Sequence, residues 1–326
     1  MRTKLTVLLV ALTLALAGAF SSASPAAAVE IKITHVNAKT HPVGMGFEAF
    51  KTQVEKASKG KIKVKVFHSA ALGGAGDIIQ GVQLGNIQMG TATCGALIPF
   101  CPEYNIMSLP FVFRDEQHLH KMMDGELGKV LTKAAKDKVG LEVMGFSTGG
   151  LRQIETRKEV KKAEDMKGLK IRTMNDPGII EVFKLFGAIP TPISFGEVYT
   201  ALQSGVVDGC ETSFISWIKS KLYEVAKYGI EVNYMDTGRA FFANPKFMAK
   251  LSKADRKIVT DAMKSAIDYI RKEYIDQQIG ITAKAKELGA VVVKPDMDSF
   301  RKAAAPIYDK FKPALGKEWL KKISEN

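Results

Sequence analysis

Two arginines in the middle of the chain are the side chains best suited to hold a small organic acid. Arg152 ends the segment GGLR (149–152), and Arg172 ends the segment KGLKIR (167–172). Both lie at or near the ends of predicted strands. A guanidinium offers a carboxylate two parallel, charge-assisted hydrogen bonds, so an arginine at a strand end that faces a cleft is a good receptor for an organic acid. The alternative is a surface arginine or a structural ion pair, and spacing alone leaves both open.

Three further side chains are candidates for ligand contacts. Phe195 and Trp217 can wall a ligand, because small-molecule sites are mostly apolar with a few placed polar groups. The same two aromatic rings can equally belong to the core. Thr93 follows the predicted strand near Met89 and offers a hydroxyl from the first half of the chain, with a solvated loop as the alternative.

The sequence contains no recognisable catalytic motif or metal-ligand cluster. It has no G-x-S-x-G, no Walker loop and no H-E-x-x-H. The glycine-rich stretch LGGAG (72–76) lacks the residues of a P-loop, so we interpret it as a tight loop over a cleft. Three cysteines without a C-x-x-C spacing, and two histidines without a third ligand nearby, predict no metal site. Cys94 and Cys101 either form a disulfide or remain buried thiols.

Composition and charge favour a folded protein with an anionic partner. The 326 residues are 46% hydrophobic and 25% charged, which predicts about two globular domains. The 47 Lys and Arg exceed the 34 Asp and Glu, and the resulting net charge of +13 attracts anions. These basic residues are scattered among acidic ones, so we expect no nucleic-acid partner. A small organic anion is the better match.

The N-terminus predicts secretion. Arg2 and Lys4 provide a charged start, Leu5 to Leu16 an apolar core, and the alanines at 26–28 a small-residue cleavage site. The apolar core is shorter than the ~20 residues that a membrane-spanning helix needs. Residues 1–28 are therefore predicted to be a cleaved signal peptide, which gives a soluble protein outside the cytoplasmic membrane.

The elements that must position these residues alternate between strands and helices. A strand around Ile31, a helix that ends at Gly60 and a period-two strand over Lys61–Val66 open the chain, and a second, similar unit begins at Gly149. Such alternation predicts an α/β protein with mainly parallel sheets, whose ligands bind at the carboxyl ends of strands. Ser-x-x-Glu at 194–197 has the form of a helix capping box.

One predicted helix is unusually long. Apolar residues recur at helical spacing from Ser252 to Leu288, and about 37 helical residues would reach ~55 Å. Such a helix can brace two lobes. Gly280 can instead divide it into two ordinary helices.

Several short segments together resemble one protein family. They are KGLKIR (167–172), GAIP (187–190), FGEVY (195–199) and VDG (207–209), supported by SKGKI (58–62), LGG (72–74) and LPF (109–111). In this combination the chain resembles the periplasmic substrate-binding proteins of tripartite ATP-independent periplasmic (TRAP) transporters, the DctP-like group. The resemblance runs from about Val29 to the C-terminal tail.

The resemblance implies a two-lobed periplasmic binding protein fold of the α/β class, with a long helix that braces both lobes. It implies that Arg172 binds the ligand carboxylate and that Arg152 is a second contact. Phe195 and Asn175 fall in regions where relatives often place ligand contacts. We therefore assign residues 29–149 and 238–277 to lobe I, and residues 150–237 and 278–326 to lobe II.

Two positions depart from the family pattern. Thr212 stands where many relatives have Asn after D-G-x-E, and Ala75-Gly76 stands where others place a charged residue. We expect Trp217 to fill part of the space beside Thr212 and to favour an apolar or bulkier ligand tail.

The function that the resemblance implies is capture, without chemistry or cofactor, of a small organic carboxylate for the TRAP membrane subunits. We expect the protein to act as a monomer. One alternative is a periplasmic enzyme that acts on an organic acid, with Glu211 or Asp208 as its base. Another is a sensor that presents its closed form to a receptor.

Overall fold

The computed structural model describes residues 29–310 and 317–325, so the predicted signal peptide lies outside the described residues. The strands are β1 (Val29–Thr34), β2 (Ile62–Phe67), β3 (Met89–Thr93), β4 (Glu142–Ser147), β5 (Arg152–Thr156), β6 (Lys170–Thr173), β7 (Ile189–Pro192), β8 (Gly209–Ser213), β9 (Tyr228–Ile230), β10 (Arg239–Ala243) and β11 (Val291–Val293). The α-helices are α1 (Pro42–Ala57), α2 (Ala75–Leu84), α3 (Cys94–Leu97), α4 (Glu116–Asp124), α5 (Glu126–Ala134), α6 (Pro177–Leu185), α7 (Val198–Gln203), α8 (Phe214–Lys219), α9 (Pro245–Lys250), α10 (Lys253–Gln278), α11 (Ile281–Glu287), α12 (Met297–Ala304) and α13 (Lys317–Glu325). Short helical turns occur at Pro102–Ser108, Ala135–Val139, Ala163–Met166, Phe195–Glu197 and Leu222–Glu224.

These strands form two sheets. Sheet I has the order β2-β1-β3-β10-β4, and sheet II has the order β11-β9-β5-β8-β6-β7. In sheet I, β1 runs parallel to β2 and β3, whereas β10 runs antiparallel to β3 and β4. In sheet II, β6 runs parallel to β7 and β8, whereas β5 runs antiparallel to β8 and β9. The α/β class is confirmed, but each sheet is mixed because it contains one reversed strand.

The reversed strands are the ones that the chain enters directly from the other sheet. β5 follows β4 of sheet I, and β10 follows β9 of sheet II. The sequence pattern within a strand does not reveal its direction, because that direction depends on which sheet the preceding strand belongs to.

Asp236 joins the two segments that cross between the sheets. Its Oδ1 accepts hydrogen bonds from the backbone amides of Gly149 and Gly238, each at 2.9 Å, and its Oδ2 accepts one from the Thr148 hydroxyl. Burial raises the pKa of Asp236, and these three donors oppose the shift. The two crossing segments are therefore held side by side.

Helix α10 is 26 residues long, which corresponds to about 39 Å. It packs against α1 and β4 on the side of sheet I and against α8 on the side of sheet II. Gly46 of α1 leaves room for Ile270, and the ring of Tyr274 approaches Gly150 in the crossing segment. Of the two predicted alternatives the structure has the divided helix, because Gly280 adopts a φ of +77° and separates the long helix α10 from the short helix α11.

Cys94, Cys101 and Cys210 are free and buried, so the disulfide alternative is not the one found. Burial raises the pKa of the Cys101 thiol to about 12.

At the C-terminus, Ile323 of α13 is buried and Lys322 lies 3.1 Å from Glu126 of α5. Helix α13 thus lies against a helix that packs on β4 of sheet I.

Candidate functional site

A cavity of about 540 Å³ lies between the two sheets. The structure brings six of the seven predicted site residues to its lining: Thr93, Arg152, Arg172, Asn175, Phe195 and Thr212. Thr93, Arg172 and Thr212 lie at or near the carboxyl ends of their strands. Arg152 instead begins β5, and reaches the same edge because β5 runs antiparallel to β8.

Arg152 forms a buried ion pair with Glu211. Its Nε donates to Glu211 Oε2 at 2.7 Å, and its Nη2 donates to the Glu211 backbone oxygen at 2.7 Å and to Oε2. Burial disfavours the charged guanidinium, but Glu211 raises the pKa of Arg152 above its ordinary value. Arg152 therefore forms a structural ion pair and also lines the cavity.

Arg172 is held by sheet II and faces the cavity. Its Nε donates to the backbone oxygen of Ile193 at 2.8 Å, and its Nη1 lies 3.6 Å from Glu211 Oε1. The guanidinium carbon lies 5.7 Å from the centre of the Phe195 ring, within the range of a cation–π contact. Burial lowers the pKa of Arg172, which Glu211 opposes. The side chain is 2% exposed and pre-positioned for an anion.

Glu211 is fully committed to structural contacts. Besides its two arginines, it accepts a hydrogen bond from the Met174 amide at 3.1 Å and one from the Tyr234 hydroxyl at 3.3 Å. Asp208 immediately precedes β8, and its side chain accepts a hydrogen bond from the Lys170 amide at 2.8 Å. Neither carboxylate is on the cavity lining, so neither has the position that a catalytic base for a bound acid would need.

Trp217 does not line the cavity, and the prediction that it fills space beside Thr212 is wrong. Its indole Nε1 donates to the backbone oxygen of Ala226 at 2.9 Å, and its ring packs against Phe214 with the centres 5.3 Å apart. Ser216, one residue earlier in α8, does line the cavity. Successive residues of a helix point about 100° apart, so the ring is directed into the core.

The segment around Ser194 also differs from its sequence pattern. The Ser194 side chain forms no cap hydrogen bond, and the turn is closed by its backbone oxygen, which accepts from the Glu197 amide at 3.0 Å. Ser194 lines the cavity instead, opposite Gly74, where an added Cβ would lie 2.9 Å from its hydroxyl. Ala75 and Gly76 also line the cavity, which places the glycine-rich stretch over the cleft.

Sequence analysis missed a third arginine in the lining. Arg239 begins β10 and pairs in register with Thr93 of β3 and Ser147 of β4. It is 4% exposed, and its Nε and Nη1 have no hydrogen-bond partner among the described residues. The signal that would have identified it is the direction of β10, because the first residue of a reversed strand lies at the ligand edge.

Glu155 is a fully buried carboxyl group beneath the arginines. Its Oε2 lies 3.5 Å from Cys210 Sγ, and its Oε1 has no partner within the described part of the chain. Burial raises the pKa of Glu155 to about 8, although the charge of Arg152 opposes this shift. The group is therefore mostly protonated at neutral pH.

Replacing Glu155 with glutamine is expected to remove a pH-dependent loss of stability. Between about pH 4.5 and pH 8, the Glu155 carboxyl is protonated in the folded protein but ionised in the unfolded chain. The free energy of unfolding of the wild type therefore falls as the pH rises through this window. The stability of Glu155→Gln relative to the wild type should increase by up to ~1.4 kcal/mol per pH unit there. Urea unfolding at about pH 5, 6.5 and 8 measures it.

Glu159→Gln is the matched control, since Glu159 is exposed just beyond β5. Its stability relative to the wild type should stay nearly constant over the same pH range. A constant difference for Glu155→Gln as well would show that Glu155 ionises normally in the folded protein.

The two mixed sheets enclose an arginine-lined cavity and are joined by paired crossing segments and a long helix. This is the architecture of a two-lobed solute-binding protein. The model of the family DctP, bacterial extracellular solute-binding protein family 7, matches residues 33–314. The chain belongs to this family. The predicted family and two-lobed fold are thereby confirmed.

Solved structures and a characterised relative agree with this assignment. A TRAP periplasmic solute-binding protein from Polaromonas sp. JS666, bound to D-erythronate, is 35% identical with a TM-score of 0.86 over 90% of this chain and 98% of that one. A counterpart from Sulfurospirillum deleyianum with bound succinate is 31% identical with a TM-score of 0.86, over 92% and 99%. The 2,3-diketo-L-gulonate-binding periplasmic protein YiaO of Escherichia coli K12 is 33% identical over 94% of this chain and 90% of its own length. These are binding proteins of transporters rather than enzymes.

None of the described helices is long and apolar enough to cross a membrane. Within residues 29–310 and 317–325, no group of three or more His, Cys, Asp or Glu side chains is arranged to hold a metal ion.

Proposed function

We propose that this protein captures a small organic carboxylate in the periplasm and delivers it to the membrane subunits of a TRAP transporter. The observation that carries the proposal is the pair Arg152 and Arg172, buried in sheet II and facing a cavity large enough for a small acid. A buried guanidinium binds a carboxylate strongly because little water competes for it. The relatives described above bind organic acids, which supports the same class of ligand here.

Each lining residue has a role in this proposal. Arg172 clamps the carboxylate, Arg152 is a second cation, and Phe195 is an apolar wall that also orients Arg172. Asn175 and Thr212 provide polar contacts from sheet II. Thr93 provides a hydroxyl from sheet I, and its Oγ1 lies 3.6 Å from Met174 Sδ across the cavity.

The proposal includes the processing and the movement of the protein. Residues 1–28 are removed as a signal peptide, and the mature monomer binds no nucleic acid. Residues 29–149 and 238–277 form one lobe and residues 150–237 and 278–326 the other, with α13 reaching back to α5. The lobes close about the crossing segments held by Asp236, which excludes water from the bound acid.

A thermal-shift screen tests the proposal. The mature protein, freed of any co-purified ligand by unfolding and refolding, is heated with C4-dicarboxylates, sugar acids, keto acids and aromatic acids, and with neutral polyols as controls. A ligand at 100 times its dissociation constant adds about 2.7 kcal/mol of stability, so one class of acid should raise the melting temperature. If only polyols stabilise the protein, or if no acid raises its melting temperature, carboxylate capture is contradicted.

A further inference from the structure

Arg239 is a buried cation that the protein itself leaves partly unsatisfied. It lines the cavity from sheet I and is 4% exposed, and its Nε and Nη1 have no hydrogen-bond partner among the described residues. Burying a charge without a partner is costly, because the surrounding protein does not replace the lost hydration. Such a group is explained when a ligand supplies the missing partner.

No carboxylate among the described residues forms a hydrogen bond with the Nε or Nη1 of Arg239. Arg239 interacts with the hydroxyl of Tyr274. Burial raises the pKa of this hydroxyl to about 12, so it is neutral. Asp236, three residues earlier, is occupied by the Thr148 hydroxyl and two backbone amides. His35, on the same side of the cavity, is kept neutral by burial, which lowers its pKa to about 3.

A second polar group with unused capacity accompanies Arg239 on the same wall. Asn37 lines the cavity, is 3% exposed, and has no partner for its Oδ1 within the described residues. Its amide can bind a hydroxyl or a carboxylate oxygen after rotation of the amide plane. The wall formed by sheet I therefore presents Arg239, whose Nε and Nη1 lack a hydrogen-bond partner among the described residues, and Asn37, whose Oδ1 lacks one as well.

The charges of the cavity lining call for more than one anionic group. The charged side chains that line it are Arg152, Arg172 and Arg239. Glu211 neutralises part of this charge, but its contacts are with Arg152 and Arg172 on sheet II. A ligand with one carboxylate at Arg172 would leave Arg239 buried and unpaired.

We infer that Arg239 is a second anion-binding group and that it selects ligands with two acidic groups, one held by Arg172 on sheet II and the other by Arg239 on sheet I. This inference rests on the proposed function, since it concerns the ligand of the same cavity. Because the two arginines belong to different sheets, a diacid bridges the lobes. Its second charged contact is made only in the closed form, so the diacid stabilises closure more than a monoacid does.

Matched acid pairs test the inference on the wild-type protein. Galactarate and galactonate, glucarate and gluconate, tartrate and threonate, and succinate and succinamate each share a carbon skeleton and differ by one carboxylate. Isothermal titration is expected to give at least one pair in which the diacid binds 10-fold or more tightly than its partner. If every pair favours the monoacid or shows no preference, the inference is wrong although the proposed function stands. If no member of any pair binds, the inference is wrong, and the thermal-shift screen with keto acids and aromatic acids decides the proposed function.

The variant Arg239→Gln identifies the residue responsible. It is expected to weaken diacid binding by 10-fold or more and monoacid binding by less than 3-fold, whereas Arg239→Lys retains part of the preference. Arg271→Gln is the matched control, since Arg271 is a partly buried arginine paired with Asp124 outside the cavity. An unchanged diacid preference in a folded Arg239→Gln protein would contradict the assignment. The wild-type titrations decide the ligand class even if this variant does not fold.

Discussion

Replacing Arg172 with alanine is expected to cost about 2 to 5 kcal/mol of ligand-binding free energy, a roughly 30- to 4,000-fold rise in Kd. The guanidinium is buried, its Nε donates to the Ile193 backbone oxygen, and it lies within cation–π distance of the Phe195 ring. Its loss leaves a bound carboxylate in the cavity without its main partner. Arg172→Lys should recover only part of the affinity, because an ammonium lacks the planar fork. Isothermal titration with the best acid from the screen measures both variants.

Lys170 provides the matched control for Arg172. It lies on the same strand two residues earlier, but it is exposed and does not line the cavity. Lys170→Ala should bind the acid as the wild type does, which separates a local contact from the general positive field of the protein. Circular dichroism confirms that each variant is folded. A folded Arg172→Ala protein with wild-type affinity would remove Arg172 from the site.

Sequence analysis located the site residues that follow strands in the parallel direction. Arg172 and Thr93 were identified because carboxyl ends of parallel strands meet at the ligand edge. Arg152 and Arg239 each begin a reversed strand, but Arg152 was identified through the segment GGLR (149–152), whereas Arg239 lies in no segment that the sequence analysis singled out. Only the reversed direction of β10 brings that residue to the cavity, and this direction follows from the path of the chain between the sheets.

Local motifs failed where tertiary contacts compete with them. The Ser194 side chain lines the cleft instead of capping a helix, and the turn closes through backbone atoms alone. Trp217 carries an apolar ring that a sequence cannot assign to core or cavity, and one position along α8 decides between them. Helix α10 follows its apolar period closely, but it ends where the left-handed conformation of Gly280 interrupts the helix. Periodicity therefore predicted the elements well, and the orientation of single side chains poorly.

Glu211→Gln is expected to reduce the free energy of unfolding of the ligand-free protein by about 3 to 5 kcal/mol. The substitution keeps the size of the side chain but removes the negative charge between Arg152 and Arg172, which are 4% and 2% exposed. Two buried guanidinium groups then lack a counter-charge in the protein. Urea unfolding of the ligand-free variant measures the loss.

A bound acid should compensate for that loss, because its carboxylate replaces the charge that Glu211 supplied. The increase in unfolding free energy on adding a saturating acid should therefore be larger for Glu211→Gln than for the wild type. Glu197→Gln is the control, because Glu197 is an exposed carboxylate in the turn Phe195–Glu197. This substitution should change the free energy of unfolding by no more than about 0.5 kcal/mol. Equal stability of Glu211→Gln and the wild type without ligand would mean that the two arginines do not depend on Glu211. A loss that the acid does not reduce would mean that the ligand carboxylate binds away from these arginines.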